Sequence, residues 1–150
     1  MMDSTCPQVS ILIPTYNRAH FLPQAIETSL AQDYPNLEII VSDNHSTDAT
    51  QECVKKYMSD PRFRYFRNDV NLGSGPNYKK LLYSYASGQY AKYLTDDDYL
   101  IDNGHVSRAM DIILRHGVKI VFSAAISRFE YEEHGIDLSF GLDEIVPRQW

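Results

Sequence analysis

The sequence predicts an α/β domain, a mostly parallel sheet covered by helices on both faces. Three observations predict it. Val9–Pro14 and Leu37–Val41 are nearly continuous apolar runs, the pattern of strands buried on both faces. Apolar residues then recur at helical spacing, so strand and helix patterns alternate β-α-β-α-β-α-β-α-β along the chain. Finally, a strand-forming run within Tyr90–Leu100 ends in Asp96, Asp97 and Asp98. Three adjacent carboxylates repel one another and are poor strand formers, so they belong just beyond a strand's carboxyl end, the edge where open α/β sheets bind ligands.

Val-Ser-Ile-Leu-Ile-Pro opens the chain as a central strand that Pro14 should stop, because proline has no N–H to give a ladder. Thr15-Tyr16-Asn17-Arg18 follows as a polar loop, and Phe21–Gln32 keeps helical spacing until Asp33-Tyr34-Pro35-Asn36 breaks it. After the second strand, Ser42–Asp48 contains a helix start, with Ser46 or Thr47 as the expected cap and a helix to about Met58. Phe63–Arg67 reads as a shorter strand nearer an edge. Asn71–Asn77 opens a helix from about Tyr78 to Ser87, ended by Gly88. Beyond the carboxylates, Asp102 or Asn103 can cap a helix through His116, closed by Gly117, and Val118–Phe122 reads as a further buried strand. Past Ser123 the pattern weakens. Right-handed crossovers would gather four loops on one rim: Thr15–Arg18, Asp43–Asp48, Asn71–Asn77 and Thr95–Asp98.

The 150 residues suit one domain, and 43% hydrophobic content can build a core. A net charge of −6 disfavours a nucleic-acid backbone as partner. No apolar run reaches the length of a membrane span, and Met1–Pro7 has no basic and apolar signal regions, so a cytoplasmic location is expected. Cys6 and Cys53 form no Cys-x-x-Cys pair or disulfide framework and read as thiols of a reducing compartment. The scattered histidines give no zinc pattern.

Clustered carboxylates at a ligand edge suit Mg²⁺ or Mn²⁺, which hold phosphates in turn; a solvated acidic turn is the plain alternative. Gly73–Lys80 lacks both the P-loop spacing and the Gly-x-Gly-x-x-Gly spacing, and it does not follow the first strand. A calcium loop starting at Asp96 would need glycine where Ile101 stands. What is left is metal-assisted nucleotide handling without a P-loop.

Four stretches carry a family resemblance. Val9–Arg18 resembles the opening strand and loop of family 2 glycosyltransferases of the GT-A fold, and Leu37–Asp48 their second strand and Asp-[Asp/Asn]-x-Ser-Thr-Asp loop. Asn71-Leu72-Gly73 matches their Asn-x-Gly, and Gly88–Asp98 resembles the stretch carrying the DXD metal site. The order and spacing cover about residues 8 to 122. The resemblance implies a Rossmann-like α/β/α sandwich and inverting transfer of a sugar from a nucleotide-diphosphate donor to a glycan or lipid-linked acceptor. By position it implies donor contacts from Thr15, Tyr16, Asn17, Arg18, Asn44, Asn71 and Gly73; Asn77 and Lys79 are candidates where relatives carry an arginine, Lys79 either supplying positive charge near the donor or merely coating the helix surface. It also implies Asp43 toward the base, Asp96 toward the ribose, Asp97 on Mg²⁺ or Mn²⁺, and Asp98 beside it.

Two departures stand out. Thr95 occupies the first DXD position, and the helix after Asn-x-Gly offers Asn77, Lys79 and Lys80 where relatives carry arginine. The general base of the family is not matched by any carboxylate between Glu130 and Glu144, so it is expected beyond residue 150. The chain thus divides into a tail, 1–7, a nucleotide-sugar-binding domain, 8–123, and an incomplete start of the acceptor region, 124–150. It reads as the donor-binding part of a truncated enzyme that could self-associate at its cut edge or sit peripherally at the inner membrane face. A non-catalytic binding module and a sugar nucleotidyltransferase are the rival readings; the latter wants a Gly-rich basic loop after the first strand, which Thr15–Arg18 is not.

Overall fold

The structure, a computed structural model, describes residues 6–122. Four parallel strands form one sheet: β1 (Val9–Thr15), β2 (Leu37–Asp43), β3 (Phe63–Arg67) and β4 (Tyr90–Tyr93), in the order β3-β2-β1-β4. β1 and β2 lie in the middle and are buried along their whole length, as continuous apolar runs require.

Successive side chains of a strand face opposite ways, and the two cores divide accordingly. Ile11, Ile13, Ile39 and Val41 point into the larger core, covered by α1 (Leu22–Leu30), Val54 and Tyr57, and α4 (His105–His116). Leu12 and Ile40 point the other way onto Leu81, with Phe66 and Tyr85 stacked beside it at 3.9 Å between ring centres. The connections β1–α1–β2–β3 cover one face, and the chain then crosses to the other to reach β4. The order therefore reverses between β1 and β4, and a crevice opens there at the carboxyl edge.

Several boundaries differ from expectation. β1 runs through Pro14, which pairs with Ser42, and ends at Thr15. Leu12 accepts from Leu94, so the missing N–H of Pro14, two residues on, faces the side where β4 has already ended. No ladder bond is lost. The second helix is short: α2 (Thr50–Cys53) followed by a 3₁₀ turn, Lys55–Tyr57. Neither Ser46 nor Thr47 caps it. Asp48 Oδ1 accepts from Thr50 N at 3.0 Å, while the Ser46 hydroxyl is drawn to Asn17 N at 2.9 Å.

The third helix starts four residues earlier than expected, as α3 (Ser74–Lys80), and widens into a π turn over Leu81–Tyr85. Gly73 enters it at φ 81°, a conformation that suits glycine. At α4 the flanking cap is Gly104, whose N–H is held by Asp102 Oδ1 at 2.9 Å, and Gly117 closes the helix at φ 65° as expected. Val118–Phe122 is not a strand. Among the described residues β4 pairs with β1 alone, and Val118, Ile120 and Phe122 are exposed, so these apolar residues meet no ladder partner there. No helix of the described residues is long and apolar enough to cross a membrane.

Candidate active site at the carboxyl rim

The first two loops are stitched together. Asn17, at φ 53°, donates through its N–H to Ser46 Oγ and accepts from Thr47 N at 2.7 Å; Ala19 N donates to Asp48 Oδ2 at 3.0 Å. Each of these bonds joins residues about thirty apart in sequence, so the two strand ends carry one continuous wall.

Asp43 ends β2 with a fully buried carboxylate. Oδ1 accepts from Ser46 N at 2.7 Å, Oδ2 from Tyr65 OH at 2.6 Å, and Arg67 Nε lies 3.6 Å from Oδ2. Burial, and the Asp43 carboxylate after it, raise the Tyr65 phenol far above its ordinary pKa and keep it a donor. Asp43 is therefore satisfied within the protein and does not line the cleft.

Four asparagines build the opposite wall. Asn44 donates to Asn71 Oδ1 (2.8 Å) and Gly73 O (3.2 Å) and accepts from Leu72 N (2.9 Å), which fixes the Asn71–Gly73 loop. Asn77 is buried behind it: Oδ1 accepts from Ser42 Oγ and Asn68 Nδ2, and Nδ2 donates to Ser42 O. Lys80 Nζ donates to Asn68 Oδ1 at 2.8 Å, so this lysine is spent on the network rather than on the cleft.

The carboxylate turn comes next. Asp98 N donates to Thr95 O and the Thr95 hydroxyl donates to Asp98 Oδ2 at 2.6 Å, a tight turn that folds Asp98 back on itself. Asp96 is buried and Asp97 exposed, and both line the cleft. Burial raises the pKa of Asp96, as does the charge of Asp97; the Thr15 hydroxyl, Arg18 and the Tyr16 amide favour its ionised form and oppose this. Thr15 Oγ1 is buried and makes no hydrogen bond of normal geometry. A buried hydroxyl without a well-formed bond, beside a partly desolvated carboxylate, marks a polar pair whose hydrogen bonding is incomplete.

The cleft between these walls holds about 430 Å³. Of the residues predicted from sequence, it brings together Thr15, Tyr16, Arg18, Asn44, Asn71, Gly73, Asn77, Asp96 and Asp97. Asn17, Asp43, Lys79 and Asp98 stand outside its lining; the first two hold the wall, and Lys79 is exposed on α3. Tyr78 lines the cleft and was not predicted. Its ring packs on Tyr93 at 5.1 Å, and burial, then Asp96, Asp97 and Asp98, raise its pKa. Its place one residue after the Asn-containing loop, at a helix position facing the carboxylates, is the signal that could have found it. A second groove of about 800 Å³, lined by β4, α4 and 119–122, is more apolar and has no carboxylate.

Among the described residues no three His, Cys, Asp or Glu side chains are placed to hold an ion by themselves. Mg²⁺ and Mn²⁺ commonly take one or two carboxylates and complete their shell with water and substrate phosphate. Asp97, hard, exposed and on the cleft, fits that donor set, whereas its neighbour in sequence, Asp98, is turned back onto Thr95 and lies outside the lining.

The model of "Glycosyl transferase family 2" matches residues 10–140. The chain is 41% identical over 106 residues to the GalNAc(5)-diNAcBac-PP-undecaprenol beta-1,3-glucosyltransferase of Campylobacter jejuni, covering 69% of this chain and 34% of that protein. It is 31% identical over 114 residues to the Escherichia coli UDP-Glc:alpha-D-GlcNAc-diphosphoundecaprenol beta-1,3-glucosyltransferase WfgD, covering 76% and 44%. The chain thus spans less than half the length of these relatives. Among solved structures, S. aureus TarS 1-349 in complex with UDP superposes with a TM-score of 0.68 at 25% identity, over 81% of this chain and 38% of that one. The parallel sheet and its helices are those of a GT-A glycosyltransferase, and the chain belongs to glycosyl transferase family 2.

Proposed function

We propose that this chain is the donor-binding part of a metal-dependent, inverting glycosyltransferase. It would bind a nucleotide-diphosphate sugar, of which a uridine donor is the first to test, for transfer to a glycan on a lipid diphosphate. The observation that carries this reading is the meeting of Asp96, Asp97 and the buried Thr15 hydroxyl in one cleft, at the ends of strands 81 residues apart in sequence but adjacent in the sheet. The relatives whose names carry lipid-linked acceptors, and the TarS complex with UDP, support the substrate classes. A lipid-linked acceptor would place the enzyme in the cytoplasm at the inner membrane face.

In this reading the Thr15 hydroxyl and the Asp96 carboxylate receive the nucleoside, with Asp96 accepting from ribose hydroxyls. The wall built by Asn17 and Asp43 fixes the height of the Tyr16 ring and backbone beside the base. Asn44 holds the Asn71–Gly73 loop against the donor, and Asn77 supports it from behind. Lys79, exposed on α3 and outside the cleft lining, is the candidate for the positive charge that relatives supply with arginine. Asp97, with Asp98 next to it, would hold Mg²⁺ or Mn²⁺, which when bound offsets negative charge on the leaving diphosphate. The general base would come from the portion of the relatives that this chain does not span.

Calorimetry of UDP, GDP and ADP with and without Mn²⁺ tests the proposal. The expected result is UDP binding strengthened by Mn²⁺, with the Mn²⁺ dependence lost in Asp97→Ala. If no nucleoside diphosphate binds, the reading fails.

One observation favours a second reading, a binding module without transferase activity: the first DXD position is Thr95, and its hydroxyl is turned onto Asp98. Nucleotide binding without Mn²⁺ dependence would select it.

A further inference from the structure

The side chain of Arg18 is paired with Asp97, the carboxylate read above as the metal ligand. Its Nη1 donates to Asp97 Oδ2 at 3.4 Å, an ion pair between side chains 47% and 45% exposed. The backbone beneath it is fixed on both sides, by Asn17 N to Ser46 Oγ and by Ala19 N to Asp48 Oδ2. Its guanidinium also lies over the exposed Phe21 ring, 5.6 Å from the centre, which gives it a second resting surface. Both Arg18 and Asp97 line the cleft.

A guanidinium paired with a carboxylate offsets the negative charge a divalent cation would use, and the two cations repel at close range. From this we infer that Arg18 is the built-in counter-ion of Asp97 in the nucleotide-free protein, displaced when metal and diphosphate arrive together. Metal alone must compete with Arg18. A diphosphate offers the planar fork of the released guanidinium a bidentate anion in exchange. The consequence is positive coupling between metal and nucleotide, and by linkage each raises the other's affinity by the same factor. The inference rests on the donor-site reading above and assigns Arg18 a role in the order of loading, not only in donor contact.

The test measures Mn²⁺ affinity by the electron paramagnetic resonance of unbound Mn²⁺, with and without UDP, for the wild type, Arg18→Gln and Asp97→Asn. An exposed pair of this kind is worth up to about fivefold in affinity. Arg18→Gln is therefore expected to bind Mn²⁺ alone up to about fivefold more tightly, yet to bind UDP in the presence of Mn²⁺ more weakly than wild type. The Mn²⁺–UDP coupling shrinks accordingly. Arg18→Lys, which keeps the charge but not the fork, should bind Mn²⁺ alone nearly as weakly as wild type and recover only part of the UDP affinity.

Unchanged Mn²⁺ affinity in Arg18→Gln, or coupling as large as in the wild type, overturns the inference while leaving the donor-site reading intact, provided Asp97→Asn abolishes Mn²⁺ binding. If Asp97→Asn binds Mn²⁺ as wild type does, the metal reading itself fails and the inference goes with it. Arg18 is exposed and outside both cores, so loss of fold is not expected, and circular dichroism of the variants checks it.

Discussion

Glu38 should prove a costly carboxylate to remove, although it does not line the cleft. It sits on β2, buried, between three elements. Its Oε1 accepts from Ser10 Oγ at 2.5 Å, Ser87 N at 2.6 Å and Gly88 N at 3.1 Å, and its Oε2 from Arg64 Nη1 at 3.2 Å. In Glu38→Ala the Gly88 amide keeps Ser10 Oγ as a partner at 2.9 Å, but the Ser10 hydroxyl and the Ser87 amide lose theirs. Two unsatisfied donors at about 1–3 kcal/mol each give a loss of about 2–6 kcal/mol, with little added by the half-exposed Arg64. Glu38→Gln can keep an acceptor toward Ser10, Ser87 and Gly88 but turns an NH2 toward the half-exposed Arg64 and loses charge assistance, together about 1–2 kcal/mol.

The pH dependence has a definite sign. Burial by itself would raise the Glu38 pKa, but the hydrogen bonds from Ser10, Ser87 and Arg64 outweigh it and hold the carboxyl below 4.5. A lowered folded-state pKa means stability that is present above the unfolded value and lost as pH falls through the folded one. Urea unfolding at pH 7 and at successive values below 4.5 should therefore show the gap between wild type and Glu38→Gln closing in acid. A Glu38→Ala midpoint within about 1 kcal/mol of wild type at pH 7, at unchanged slope, would refute the reasoning.

Gly88→Ala places a Cβ 2.6 Å from Ser10 Oγ, 2.8 Å from Ser10 N and 2.9 Å from Gln8 O; two of these are backbone atoms of or beside the buried β1. It should cost about 2–3 kcal/mol, read as a fall in melting temperature of about 5–10 °C. Asp96→Asn should raise the urea midpoint at pH 7 while weakening nucleotide binding. The raised pKa of Asp96 means its contribution to stability is present below the unfolded value of 3.8 and lost as pH rises through the folded one, so the charged form strains the fold at neutrality. A lowered midpoint would contradict this. In Asn44→Ala the Leu72 amide loses its side-chain acceptor, and hydrogen exchange there should speed up by at least about tenfold while the Ile11 and Ile39 amides keep wild-type protection.

The central strands were legible because burial on both faces leaves a mark on every residue, and Val9–Ile13 and Leu37–Val41 carry it. The rim was legible because each loop follows a strand whose direction the parallel topology fixes, which is how residues as distant as Thr15 and Asp97 could be placed together. The helix starts were not. Ser46 carries a good cap residue's chemistry, but its hydroxyl has a tertiary competitor, Asn17 N, that no local pattern announces. Pro14 misled for a related reason: whether a missing N–H matters depends on which neighbour strand lies opposite, and only the register with β4 decides that. Val118–Phe122 has a strand's composition and, among the described residues, no partner, so composition alone could not settle its state.

Asp43 and Glu38 show why site residues are harder to read than strands. Both are buried carboxylates on the same central strand, five residues apart and on opposite faces. A motif singles out Asp43, whereas nothing local distinguishes Glu38 from a surface glutamate. Yet each has the same physical need, several donors converging on a charge taken out of water, and each meets it by tying neighbouring elements together: Asp43 binds Ser46 and Tyr65, and Glu38 binds Ser10, Ser87 and Arg64. The difference lies in position along the strand. A carboxylate at the strand's carboxyl end braces the loops that border the cleft, and one near its amino end can only brace the sheet. Asp43 thus shapes the cleft from behind without lining it, and a substitution there should change nucleotide affinity and stability together, whereas Glu38→Gln should change stability alone.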